Sequence, residues 1–198
     1  VDGEPTIDML GVEPRRFGNY AKKDYLIEKN EEAYASVFVI HYPDEERPAA
    51  RPLRTAPCYE RMQALGAVFG QRFGWERPNW FATDGMEQVD DWSFRRSKWF
   101  EGVRKEALNT TANVGLLDMT AFAKCRVSGP GAEKFLDYMV ANRLPAKVGG
   151  IGLCHSLNTK GGIHSEFTIR READDSFYLV SAGALQRLDH DYLKKHMP

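Results

Sequence analysis

A chain of 198 residues with 42% hydrophobic content is long enough for one ordinary domain or two small ones, and 12% aromatic residues argue against disorder. With a formal net charge of -1 and a pI near 6.6, nothing points to a nucleic-acid surface or an anionic membrane. No apolar run approaches the roughly 20 residues that cross a bilayer, no signal-peptide pattern opens the chain, and Cys58, Cys125 and Cys154 lack metal-ligand spacing, which points to free thiols in a reducing compartment.

In chain order, Val1 to about Tyr20 is rich in Pro, Gly and charge and is expected to be extended. Lys22 to Ala35 admits a helix, with Tyr25, Leu26 and Tyr34 available for packing. Ser36-Val-Phe-Val-Ile-His-Tyr42 is dense in β-branched and aromatic residues and predicts a strand that ends at Pro43. Asp44 to Pro57 is turn-like, and its charged run Asp44 to Arg47 is a solvated turn rather than a site. From Pro57 to Gly74, the spacing of Tyr59, Met62, Leu65 and Val68 predicts a helix with a Gly-rich stop. No strand leads into Gly66, Gly70 and Gly74, so they do not form a dinucleotide loop. Trp75-Glu-Arg-Pro-Asn-Trp-Phe81 reads as a joint between domains in preference to a platform for a ring ligand beside Arg77. The acidic loop from Thr83 to Asp91 is the boundary candidate.

The second half opens with a helix from Trp99 to Thr110, packing through Phe100, Val103 and Ala107. Phe122 to Ser128 alternates as a strand, Gly129-Pro-Gly131 turns, and Ala132 to Val140 is a helix burying Phe135, Leu136 and Met139. Ile151 to Asn158 is apolar enough for a largely buried strand. Asn158-Thr-Lys-Gly-Gly162 reverses the chain, and in Ile163 to Arg171 the residues Ser165, Phe167 and Ile169 alternate with His164, Glu166, Thr168 and Arg170. Phe177 to Val180 is a further strand, and Leu185 to His196 is an amphipathic helix with Leu188 and Tyr192 inward. The expected fold class is therefore α+β: a mainly antiparallel sheet with helices on one side, preceded by a small α/β connecting domain.

The sequence holds no GxSxG, P-loop or HExxH motif. His155 and His164 flank the reversal, and the register decides which of them faces Glu166; with no third ligand evident, no metal site is assigned. His190 and His196 lie on the last helix, where His196 suits the helix dipole. A mid-strand carboxylate such as Glu166 is ordinarily solvated or paired with a neighbour such as Arg170.

A resemblance gives Glu166 a second reading. Gly115-Leu-Leu-Asp-Met-Thr120, Val127-Ser-Gly-Pro-Gly-Ala132, Ala141-Asn142, Leu157-Asn158 and Gly161-Gly-Ile-x-x-Glu166 resemble the folate-binding domain of the aminomethyltransferase (glycine cleavage T-protein) family. Upstream, Tyr42-Pro43, Arg51-Pro-Leu-Arg-Thr-Ala-Pro-Cys-Tyr59, Gly66-Ala-Val-Phe-Gly70 and Gly74 to Phe81 resemble the connecting domain of dimethylglycine and sarcosine dehydrogenases. The resemblance implies a connecting domain over 1–84 and the N-terminal, incomplete part of a folate-binding domain over 85–198. It also implies an FAD domain before Val1 and the rest of the folate domain after Pro198, so this stretch alone is not expected to oxidise anything. A start at Val1 rather than Met agrees with a piece of a longer chain.

In such a flavoenzyme the FAD domain oxidises an N-methyl amine, and tetrahydrofolate accepts the one-carbon unit as methylene-tetrahydrofolate. By motif position Glu166 is the carboxylate that orients the folate nitrogen and takes its proton, with Phe122, Leu153, Thr168 and Arg170 lining the pocket. The glycine cleavage branch usually has Asp at Glu166 and commonly Tyr at Leu153, which moves the charge and removes an aromatic wall. The implied partners are folate, the amine, the rest of the parent chain and further copies in a homo-oligomer. The implied location is the cytoplasm of a bacterium or the mitochondrial matrix. The competing expectation is a non-catalytic scaffold that seats the FAD domain without binding folate.

Overall fold

The computed structural model describes Ile7, Met9 and residues 12–198, in two compact units: 19–121, and 122–198 together with the residues up to 18. The expected extended start lies partly outside the described residues; within them, Pro14–Tyr20 is a 3-10 turn with a kink at Gly18.

In the 19–121 unit, α1 (Lys23–Ala35) forms where the pattern placed it but has no buried residue. Polar bonds fasten it instead. Glu32 accepts the Ala49 N–H at 2.8 Å, Glu28 accepts the Ala50 N–H at 3.0 Å, and Lys29 Nζ donates to the Arg47 carbonyl at 3.0 Å. Tyr34, expected to pack, is exposed, whereas Tyr25 meets Tyr20 edge-on at 5.6 Å.

The strand expected over Ser36–Tyr42 is absent. Successive turns follow α1, with Val37 N–H donating to the Tyr34 carbonyl and Val39 N–H to that of Ser36, and Phe38 is 97% exposed. Strand propensity becomes a strand only against a partner, and no described strand pairs with this segment.

The helix expected from Pro57 to Gly74 is also corrected. Only α2 (Tyr59–Ala64) is helical, and β1 (Ala67–Arg72) follows, paired antiparallel with β2 (Trp75–Phe81). Phe73 and Gly74, both at positive φ, form the two-residue turn between them, a geometry that matches the twist of a hairpin. The tryptophan-rich run is thus a strand. Trp80 is buried and donates from Nε1 to Asp90 Oδ1 at 2.9 Å, while Arg54, not Arg77, lies over the Trp75 ring. The helix α3 (Trp99–Ala112) packs on β2 at Gly102, where a Cβ would stand 3.0 Å from the Phe81 carbonyl oxygen.

The second unit follows the expected order: β3 (Ala123–Ser128), α4 (Ala132–Met139), β4 (Ile151–Leu157), β5 (Ile163–Ala173), β6 (Ser176–Ser181) and α5 (Gln186–His196). Its four strands form one antiparallel sheet in the order β3-β6-β5-β4. One face is a core in which Cys154, Phe167, Ile169, Phe177 and Leu179 pack against Phe135, Leu136 and Met139 of α4 and Leu193 of α5. Asp189 and Leu193 are the residues α5 buries fully; Tyr192, expected inward, packs partly buried against the same core, whereas Leu188 is not among the residues that pack there. The strand β4 is only half buried: Cys154 and Ser156 face the core, and Ile151, Leu153 and Leu157 do not.

Among the described residues no helix is long and apolar enough to cross a membrane.

Candidate functional site

The alternation of β5 fixes the site. Ser165, Phe167, Ile169 and Arg171 are buried, so Glu166, Thr168 and Arg170 project to the opposite, open face. Five residues separate β4 from β5, and Asn158 closes this loop: its Oδ1 accepts the N–H groups of Lys160 and Gly162 at 3.0 and 2.9 Å. A bulge at His164 follows, which re-aims that side chain. Its ring stacks on Tyr192 of α5, 4.3 Å between centroids. His155 is therefore the histidine that faces Glu166, with Nε2 3.0 Å from Oε2.

Register then assembles the open face in cross-strand rows. His155 stands opposite Glu166; Leu153, Thr168, Val180 and Lys124 form the next row; Ile151, Arg170, Tyr178 and Arg126 form the one after. Four of the expected site residues, Leu153, Glu166, Thr168 and Arg170, thus share one surface. Phe122 is the outlier: it immediately precedes β3, two strands from β5, and its carbonyl accepts Lys124 Nζ at 2.9 Å. Lys124 and Tyr178 were not expected at the site; the alternation of β3 and β6 is the sequence signal that places them there.

The surface combines an apolar strip with a charge. Ile151, Leu153 and Leu157 of β4 expose their side chains beside Glu166, whose own side chain is 58% exposed. Arg126 pairs with Glu172 at 2.7 Å and holds that carboxyl below its usual range, which uses one cation of the face internally. On the buried side, desolvation pushes the Cys154 thiol up, as it does that of Cys125, so neither is a ready thiolate nucleophile.

Among the described residues no group of three or more His, Cys, Asp and Glu is placed to hold a metal ion. A cleft of about 600 Å³, lined by Glu133, Lys134, Asp137, Asp174 and Asp175, lies at the start of α4 and the β5–β6 turn and includes none of the site residues.

Over residues 58–198 the chain matches the family model of the GCVT N-terminal domain, and over residues 2–56 that of the FAD dependent oxidoreductase central domain. It is 31% identical over 194 residues to the mitochondrial dimethylglycine dehydrogenase of Homo sapiens, covering 98% of this chain and 22% of that protein. It is 30% identical over 196 residues to the 4-methylaminobutanoate oxidase (formaldehyde-forming) of Paenarthrobacter nicotinovorans, covering 98% and 24%. The chain therefore spans less than a quarter of the length of these curated relatives. The crystal structure of glycine cleavage system aminomethyltransferase T from Bartonella henselae superposes with a TM-score of 0.58 at 30% identity, covering 73% of this chain and 35% of that one. The four-stranded unit with its helices on one side, and a family match over well more than half of the residues, lead to one conclusion: this chain belongs to the GCVT N-terminal domain family.

Proposed function

We propose that the chain is the one-carbon acceptor part of a flavin-dependent N-methyl amine dehydrogenase of the dimethylglycine or sarcosine type, and that its open sheet face binds tetrahydrofolate. In this reading residues 1–84 connect to an FAD domain, and residues 85–198 begin the folate-binding domain. Oxidation of the amine belongs to the flavin. Tetrahydrofolate supplies the nitrogen that takes up the one-carbon unit.

The observation that carries the reading is the placement of Glu166 in mid-strand, beside the apolar strip of Ile151, Leu153 and Leu157. A pteridine has a flat apolar face and a polar edge, and this surface offers a complement to each. Leu153 and Thr168 form a floor, Glu166 orients the attacking nitrogen and accepts its proton, and Arg170 supplies positive charge one row beyond. Rigid strand backbone suits that task better than a loop.

The second reading, a scaffold that seats the FAD domain without folate, is favoured by one fact: Glu166 is more than half exposed, and an exposed carboxylate gains little from its surroundings. Isotope tracing separates the two. With a 13C-methyl amine as substrate, the full-length protein with tetrahydrofolate is expected to deliver the label to methylene-tetrahydrofolate. Free formaldehyde as the labelled product, unaffected by tetrahydrofolate, would favour the scaffold.

A further inference from the structure

Glu166 is held from one side. The β4–β5 register places His155 opposite it, with Nε2 3.0 Å from Glu166 Oε2. The other ring nitrogen meets Asn142, Nδ1 lying 3.2 Å from Oδ1. The backbone N–H of His155 donates to the same Asn142 oxygen at 2.8 Å, which identifies that atom as an acceptor. The segment carrying Asn142 is itself tied to β4, because the Ala141 N–H donates to the His155 carbonyl at 2.9 Å. An imidazole thus lies between two acceptor oxygens.

We propose that His155 is the positioning residue of Glu166, oriented in turn by Asn142, an inference that rests on the folate-binding function proposed above. The ring engages Oε2 through Nε2. Oε1 is then the oxygen that remains for the folate nitrogen. Glu has one more rotatable bond than Asp, so a fixed second oxygen removes the freedom that the longer side chain would bring to the site. The arrangement has the logic of an orienter, a histidine and an acting group, here spread over a loop and two strands. Other charged groups at this face are Arg170 on β5, Lys124 on β3, and Arg126 on β3 with its partner Glu172 on β5; β6 contributes Tyr178 and no formal charge.

Two measurements on the full-length protein test this. Diethyl pyrocarbonate attacks an accessible imidazole nitrogen, and peptide mass spectrometry reads its rate at each histidine. At a fixed pH, His155 is expected to react about tenfold faster in Glu166→Ala than in the wild type, because Nε2 loses the oxygen that engages it. His190 on α5 serves as the unchanged internal reference. Equal rates at His155 overturn the proposal. In calorimetric titration with tetrahydrofolate, His155→Ala is expected to weaken binding about tenfold, and His155→Gln, which keeps an N–H donor, to recover most of the loss. Wild-type affinity in His155→Ala overturns the positioning role and leaves the folate reading in place. A wild-type protein that binds no tetrahydrofolate overturns both.

Discussion

Arg51 grips Glu76 through two hydrogen bonds, Nε to Oε1 at 2.9 Å and Nη2 to Oε2 at 2.6 Å, at a site where the Glu76 side chain is only 3% exposed. Nη2 also donates to the Phe69 carbonyl at 2.9 Å, so the pair fastens the loop before α2 to the β1–β2 hairpin. The bond to Glu76 raises the Arg51 pKa further above its ordinary value. Removing one partner strands the other inside the unit. Glu76→Ala is predicted to destabilise by about 3–5 kcal/mol, and an Arg51→Met, Glu76→Leu double variant by much less. Urea unfolding measures both; a cost below about 1 kcal/mol for the single variant would contradict the account.

Gly74 occupies a position that only glycine tolerates well. Its φ is +80°, and a Cβ there would stand 2.8 Å from the Tyr20 ring. Gly74→Ala combines a left-handed backbone penalty of about 1–2 kcal/mol with displacement of that ring. The expected outcome is a lower urea midpoint, whereas Gly85→Ala, with open space around its Cβ, carries the backbone penalty alone.

Asp189 on α5 is buried against the sheet, where Ser181 Oγ donates to it at 2.6 Å. Burial pushes its carboxyl above the usual range, and the Ser181 bond opposes this only in part. A folded-state pKa above the unfolded one means that the folded protein binds the proton more readily. The stabilisation is fully present below the unfolded pKa and is lost as pH rises through the folded one. Wild-type stability relative to Asp189→Asn is therefore predicted to rise on acidification from neutral pH. Urea midpoints of the two proteins at several pH values check the sign; a difference that stays constant would contradict it.

The β3–α5 unit was largely legible because each element is patterned by a core it builds itself. Leu136 and Met139 recur at helical spacing and Phe167 and Ile169 at strand spacing, and all four are buried. The 19–121 unit was less legible. Tyr59, Met62, Leu65 and Val68 satisfy a helical period by coincidence, while the turn chemistry of Phe73-Gly74, which decides for a hairpin, occupies two residues. Val37 to Ile40 has the composition of a strand and lacks a partner, which no local pattern reveals. At the site, alternation assigned Glu166, Thr168 and Arg170 to one face, but the choice between His155 and His164 depended on a bulge that composition does not encode. The position of Phe122, two strands away from β5, likewise follows from the strand order β3-β6-β5-β4 and not from its spacing.

The central claim is that Glu166 engages a reduced folate on the open sheet face, and calorimetric titration of the full-length protein with tetrahydrofolate tests it most directly. The account predicts saturable binding by the wild type and an affinity lower by about tenfold or more in Glu166→Gln, since a hydrogen bond to a charged group contributes about 1.5–3 kcal/mol. Absence of binding by the wild type, or equal affinity in the two proteins, would contradict it.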